Sequence, residues 1–255
     1  MSDKILYEFP LNERIRLFIR LEKLFHEIEH FGKGASPLDS RAAVSSLVDV
    51  LTIAGRYDLK SELLKEIDRY NQYLGRFVGN DRVDRHKIEQ VLGELREISE
   101  LLYRSPGKLG QSLLETDLFK AIAQRNSMPG GTCSFDLPAF YFWLEQDAYR
   151  RSEDLTRWLE PFDSVRSSIR LLLAFLRGSA TPTAELAQAG FFQRNLDHSL
   201  PLQLLRVLVS RHYPCFAEIS GGRHRVTVRF MRQVGDGRPA AFQEDVEFRL
   251  SCCIL

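Results

Sequence analysis

The string His26-Glu27-Ile28-Glu29-His30 is a literal H-E-x-x-H. On a helix that spacing puts two imidazoles one turn apart, able to share a zinc ion with the glutamate as general base. The apolar stripe of the same segment argues the other way. Leu17, Leu21, Leu24, Ile28 and Phe31 recur at 4-3-4-3 spacing and mark the packed face. At ~100° per residue, His26 lies about 200° from Leu24, and His30 the same from Ile28. Both rings then point to solvent, whereas a zinc enzyme needs them in a sheltered cleft with a third ligand. Glu62 is a candidate third ligand by separation alone. A zinc-dependent hydrolase is thus the alternative reading, and a solvated histidine face the expectation. The chain has no G-x-x-x-x-G-K-[ST] loop, no G-x-G-x-x-G after a strand and no G-x-S-x-G elbow. Asp136, before Leu137-Pro138, reads as a helix cap rather than a catalytic acid. No catalytic residue, metal ligand or cofactor is assigned.

The second constellation is Ile219 to Gln233, with four arginines, one histidine and no Asp or Glu. On a strand, alternate side chains share a face. His224, Val226, Val228 and Phe230 then form a mostly apolar face fit for a core. Arg223, Arg225, Thr227, Arg229 and Met231 form the other, with three guanidinium groups in a row. Such a row suits planar anions such as carboxylate or phosphate. Gly221-Gly222 before it and Asp236-Gly237 after it are hairpin signals. A hairpin at Asp236-Gly237 would bring Asp245 or Glu247 beside Arg225 and Arg229. The face would then be an ordinary solvated, partly neutralised one. Both readings stay open on the residues alone. Arg14, Arg16, Arg20 and Lys23 make the first helix basic, and Arg20 is the residue there that could join the strand arginines. Apolar contact for a bound peptide would come from Tyr141, Phe140 or Met231.

These side chains must be positioned by a chain of ordinary globular composition. Lys plus Arg number 35 and Asp plus Glu 34, so any electrostatic function is local, and no known DNA- or RNA-binding motif is present. No apolar run approaches the ~20 residues that span a bilayer, and the first residues lack a signal-peptide pattern. Cys133, Cys215, Cys252 and Cys253 do not follow metal or redox spacing, and read as reduced thiols of a cytoplasmic protein.

Residues 1 to 9 read as a short extended segment. Asn12 caps a helix through about Phe31, which Gly32, Gly34 and Pro37 end; a second runs from about Ser40 to Ala54, and Asp58 caps a third through about Phe77. Asp84 caps a fourth; Ser105-Pro106-Gly107 breaks the pattern. A helix of about Gly110 to Arg125 follows, another opens at Pro138, and Asp163 caps a long apolar one through about Arg177. Phe140, Tyr141, Phe142 and Trp143 cannot all face one core, so some should be exposed. Beyond Gly190 the period changes to two. Phe191–Leu196, Leu202–Val209, Cys215–Ile219, Arg223–Gln233 and Ala241–Cys252 are strand candidates. The expected architecture is α+β, with a helical bundle over 1–182 followed by an antiparallel β domain over 183–255.

Several stretches resemble one family. Phe9-Pro10-Leu11-Asn12-Glu13 with Arg20 and Glu22 is similar to the start of ZapD proteins, bacterial division factors associated with FtsZ. Ser61 to Glu66, the block Pro129-Gly130-Gly131-Thr132-Cys133-Ser134-Phe135-Asp136-Leu137-Pro138, Arg225 to Met231, Tyr213-Pro214 and the Cys252-Cys253 ending are similar too. The resemblance runs from end to end. It implies a helical domain plus a β domain, a homodimer, no enzymatic activity and a place at the mid-cell division site. It implies binding to the C-terminal tail of FtsZ and bundling of FtsZ filaments, the tail lying in a basic groove between the domains. Arg20, Arg225 and Arg229 match basic positions there, and Arg223 and Tyr141 are further candidates for peptide contact. Asp117 and Tyr141 stand where some relatives carry a basic residue and a histidine. No nucleic acid and no direct membrane insertion are expected.

Overall fold

The computed structural model describes residues 3–76, 85–104, 109–126, 128–197, 199–222 and 224–254. Asp84, Phe77, the 105–107 break and Arg223 therefore lie outside the described residues. By contacts the chain forms two compact units, Met1–Leu17 with Leu173–Leu255, and Phe18–Leu172. The N-terminal strand, reckoned with the helical stretch in a 1–182 division, pairs in a sheet with the later strands.

The middle unit is helical. Helix α1 (Glu13–Gly32) buries Leu17, Leu21 and Ile28 of the expected stripe together with Phe18 and Phe25, whereas Leu24 and Phe31 are half-buried. Helix α2 (Pro37–Arg56) begins three residues earlier than expected. Ser36 caps it, with Asp39 bonding back to the Ser36 N–H to complete a capping box. Pro37 is thus a first-turn residue rather than a breaker. Helix α3 (Leu59–Gly75) is capped by Asp58, and buries Leu63, Ile67 and Tyr70. The Tyr70 hydroxyl donates to the Leu172 carbonyl at 3.0 Å. Helix α4 (Arg85–Arg104) buries Leu95. The helix expected over Gly110–Arg125 is two, α5 (Gln111–Leu114) and α6 (Asp117–Arg125), because Thr116 leaves helical geometry and donates its hydroxyl to Leu113 O. Helix α7 (Pro138–Leu144) opens at Pro138 as expected. Helix α8 (Ala148–Leu159), which the sequence reading did not separate, starts because Asp147 accepts from the Arg150 N–H at 3.0 Å. Helix α9 (Asp163–Gly178) buries Val165, Ile169 and Leu172.

Arg151 on α8 is 4% exposed and organises this region. It donates to Ser40 Oγ, Leu144 O, Gln146 O and Ala35 O, tying the α7–α8 turn to the start of α2.

The other unit is a pair of antiparallel sheets. The first holds β1 (Lys4–Pro10), β4 (Leu202–Ser210), β8 (Val246–Ile254) and β2 (Thr183–Ala187) in that spatial order. The second holds β3 (Phe191–Asn195), β6 (Arg225–Arg232) and β5 (Phe216–Gly221), with the two-residue β7 (Ala240–Ala241) beside β6. Val226, Val228 and Phe230 meet Val207, Val246, Phe248 and Leu250 in one core, so apolar faces of both sheets share it. Phe192 and Phe230 pack on Phe248 at 5.1 and 5.4 Å between ring centroids. Glu8 of β1 holds both Arg177 and Arg206, at 2.8 to 2.9 Å.

The chain crosses between the sheets at Ala189-Gly190, where both residues have positive φ, 47° and 72°. Paired positive φ makes a tight hairpin turn. A Cβ on Gly190 would sit 2.2 Å from Phe242 O, so glycine is required there. Asp245 accepts from the Ala189 N–H at 2.8 Å and holds the strained alanine.

Candidate peptide-binding face

The strand foreseen from alternation is β6. Its inward residues Val226, Val228 and Phe230 are fully buried, and its outward Arg225 and Arg229 are exposed. His224 is exposed too, and does not extend the core face. Arg225 and Arg229 lie four residues apart on one face, about 13 Å at ~3.3 Å per residue, within reach of one extended peptide.

Neither Asp245 nor Glu247 pairs with β6. The hairpin after Asp236-Gly237 returns only as β7, Ala240–Ala241, which carries no acid. Gln233 closes that turn by donating to Gly235 O and Gly237 O. The acid-bearing strand β8 pairs instead with β4 and β2 in the other sheet. The continuous strand read over Ala241–Cys252 is thus split, and its two parts serve different sheets. Among the described residues, no hydrogen bond or ion pair engages the side chains of Arg225 or Arg229.

Register places further residues on this face that the sequence alone did not single out. Asn195, Gln193 and Phe191 of β3 lie directly across from Arg225, Thr227 and Arg229. Glu218 of β5 lies across from Arg229 on its other side, and Phe216 across from Met231. These are pairings between residues 11 to 38 positions apart in the chain, so only register reveals them.

The remaining sequence candidates fall elsewhere. Arg20 is exposed on α1 and Tyr141 is 48% exposed on α7, both in the helical unit. Phe142 is 69% exposed, whereas Phe140 and Trp143 are buried and stacked at 5.8 Å. Of the four aromatics, two are therefore exposed, as argued. Phe140 is not available as a peptide contact, because it faces the helical core. Asp117 begins α6. Of the residues assigned from sequence, Arg225 and Arg229 are the pair that one element brings together.

The His26–His30 string keeps its solvated orientation: both rings are exposed. Glu27 accepts from Ser46 Oγ at 3.1 Å and Glu62 accepts from Lys65 Nζ at 2.9 Å. Among the described residues, no group of three His, Cys, Asp or Glu side chains could hold a metal ion, and no helix is long and apolar enough to cross a membrane.

Comparison with known proteins bears on the same residues. A family model described as "ZapD: Cell division protein" matches residues 19–229, which include β3, β5 and most of β6. The cell division protein ZapD of Methylococcus capsulatus is 48% identical over 255 residues, covering all of both chains. That of an Azoarcus species is 36% identical over 251 residues, covering 98% of this chain and 100% of the relative. That of Aromatoleum aromaticum is 37% identical over 251 residues, covering 98% of each.

Proposed function

The chain belongs to the ZapD family of cell division proteins, and on that premise we propose that it is a non-enzymatic factor that binds the C-terminal tail of FtsZ and bundles FtsZ filaments. The observation that carries this reading is the outer face of β6. Two exposed guanidinium groups stand on one strand face; Glu247 belongs to the other sheet, Asp245 accepts from the Ala189 N–H, and Glu218 stands opposite Arg229 alone. Arg20 is assigned to the same tail on the strength of the family resemblance, and Tyr141 as an apolar contact for it. Arg223, outside the described residues, is retained as a further basic contact.

Charge alone does not make a tight site, since exposed ion pairs contribute only ~0.2–1 kcal/mol each. Apolar contact must supplement it. A micromolar contact corresponds to about −8 kcal/mol. Two such contacts on one particle bundle filaments by avidity, without a tight single contact. We therefore also propose a two-fold homodimer held by the helical stretch. The exposed Leu38, Phe135, Phe142 and Tyr149 of the helical unit supply apolar surface for such a contact. The protein would act in the cytoplasm at mid-cell.

The test is sedimentation of FtsZ filaments with and without the protein. Full-length FtsZ should pellet as bundles, and FtsZ lacking its C-terminal tail should not. Equal bundling of the two forms would overturn the assignment.

A further inference from the structure

We propose that the outer face of the β3-β6-β5 sheet is a two-ended site. Arg225 takes a carboxylate at one end, and Phe191, with Met231 and Phe216, takes an apolar side chain at the other. The inference rests on the assignment of Arg225 and Arg229 made above and adds a specificity-determining residue, Phe191, and a direction along β6.

The argument comes from the rows of the face. In the first row Arg225 faces Asn195, a neutral residue. Two residues on, Thr227 lies between Gln193 and Ser220. In the third row Arg229 lies between Phe191 and Glu218. In the last, Met231 lies between Phe216 and Ala241. Polar partners thus surround the Arg225 end and apolar ones the Met231 end.

Charge along the strand is graded in the same direction. Among the described strand residues of this face, Glu218 is the one acid, and it stands opposite Arg229. Cross-strand opposite charges attract directly. The positive potential offered to a ligand is therefore strongest at Arg225. An incoming carboxylate is favoured there and disfavoured near Glu218.

Phe191 is 47% exposed, and Met231 and Phe216 are half-buried. A single exposed apolar side chain is unremarkable. One exposed and two half-buried on adjacent strands, beside two arginines, form a small patch. Diagonal neighbours across strands lie ~7–8 Å apart, close enough for one apolar side chain to touch more than one of them. The Arg225 row lies about 13 Å from the Arg229 row that holds Phe191, and about 20 Å from the Met231 row, at ~3.3 Å per residue. The occupant this charge pattern fits is an extended peptide with an acidic residue about four to six positions from an apolar one.

The test uses the full chain and ten-residue synthetic peptides in calorimetric titration. One peptide carries two aspartates near one end and leucine-phenylalanine near the other, made in both chain orders. The control has serines in place of leucine-phenylalanine. The wild type should prefer the two-ended peptide over the control, in one chain order, by about tenfold. Phe191→Ala should reduce that preference about fivefold, the factor that ~1 kcal/mol represents at 25 °C, and Phe191→Leu should keep most of it. Glu218→Gln should strengthen both peptides alike. If Phe191→Ala keeps the full preference while Arg225→Glu with Arg229→Glu abolishes binding, the apolar end is wrongly assigned and the arginine reading stands. If the double reversal binds both peptides like the wild type, the arginine reading falls and this inference with it.

Discussion

Replacing Arg151 with Met should destabilise the helical unit by about 3 kcal/mol, because the guanidinium satisfies two acceptors that water cannot reach once it is gone. Of its four acceptors, Ala35 is exposed and Gln146 half-buried, so their carbonyls can rehydrate. Ser40 is 2% exposed and Leu144 7%. Their oxygens would be left dry, at a cost of ~1–3 kcal/mol for each such buried group. Methionine recovers part of the packing volume but none of the hydrogen bonds. For a unit of this size, about 3 kcal/mol corresponds to a fall in Tm of roughly 6–12 °C. Trp143 lies beside the affected turn, and Trp158 packs against it. Trp143 on α7 donates to Asp154 at 2.9 Å, and its ring centroid is 5.0 Å from that of Trp158. Tryptophan fluorescence during thermal melting therefore reports this unit directly. Arg151→Lys, which keeps the charge but not the planar fork, should fall between wild type and Arg151→Met. A shift below about 2 °C for Arg151→Met would show that the neighbouring carbonyls are satisfied without the guanidinium, and the reasoning would fail.

Asp58→Ala should cost about 1 kcal/mol by removing the α3 cap, while Asp58→Asn should cost less, as denaturant melts can show. Hydrogen bonds from the Ser61 hydroxyl and then its backbone N–H lower the Asp58 pKa. The charged cap's contribution is therefore complete above the ordinary unfolded-state pKa and is lost as pH falls through the lowered folded value. Burial raises the Cys253 thiol to about 11. Native protein at pH 8 should leave Cys253 unmodified by iodoacetamide, and mass spectrometry should find it alkylated only after unfolding. The folded state holds that proton more tightly than the unfolded chain, so Cys253 contributes stability at neutral pH that declines as pH rises from about 8.5. His30→Ala should change stability by less than about 0.5 kcal/mol and the metal content of the purified protein not at all, read by melting and elemental analysis.

Local signals were legible and long-range pairing was not. Asp58 declared α3 through a cap and a 3.6-residue stripe, both confined to one turn or one helix. Val226, Val228 and Phe230 declared an inner strand face because alternation is a property of the strand itself. The same logic misled at Ala241–Cys252, where alternation was correct but the partner was not. Gly237 lies four residues before Ala241, and a simple hairpin was the economical expectation. The sheet instead spends only two residues there and sends Val246–Ile254 to β4. That switch leaves Arg225 and Arg229 without acids from β8. Phe191 and Glu218 entered the site only through register, which depends on contacts far apart in sequence. Ser36 was missed as a cap because Gly34 and Pro37 read as a break. A proline in the first helical turn and a proline after a helix look alike until the capping box is seen.

The most direct test of the central claim is a titration of the FtsZ C-terminal tail peptide into the wild type and into the Arg225→Glu, Arg229→Glu double variant, at low and high salt. The inward face of β6 carries the core, so the variant should keep its fold and melting temperature. The account predicts a micromolar wild-type contact that weakens with added salt, and no measurable binding by the double variant. Unchanged affinity in a folded double variant would show that the arginine face of β6 is merely solvated, and would contradict the account.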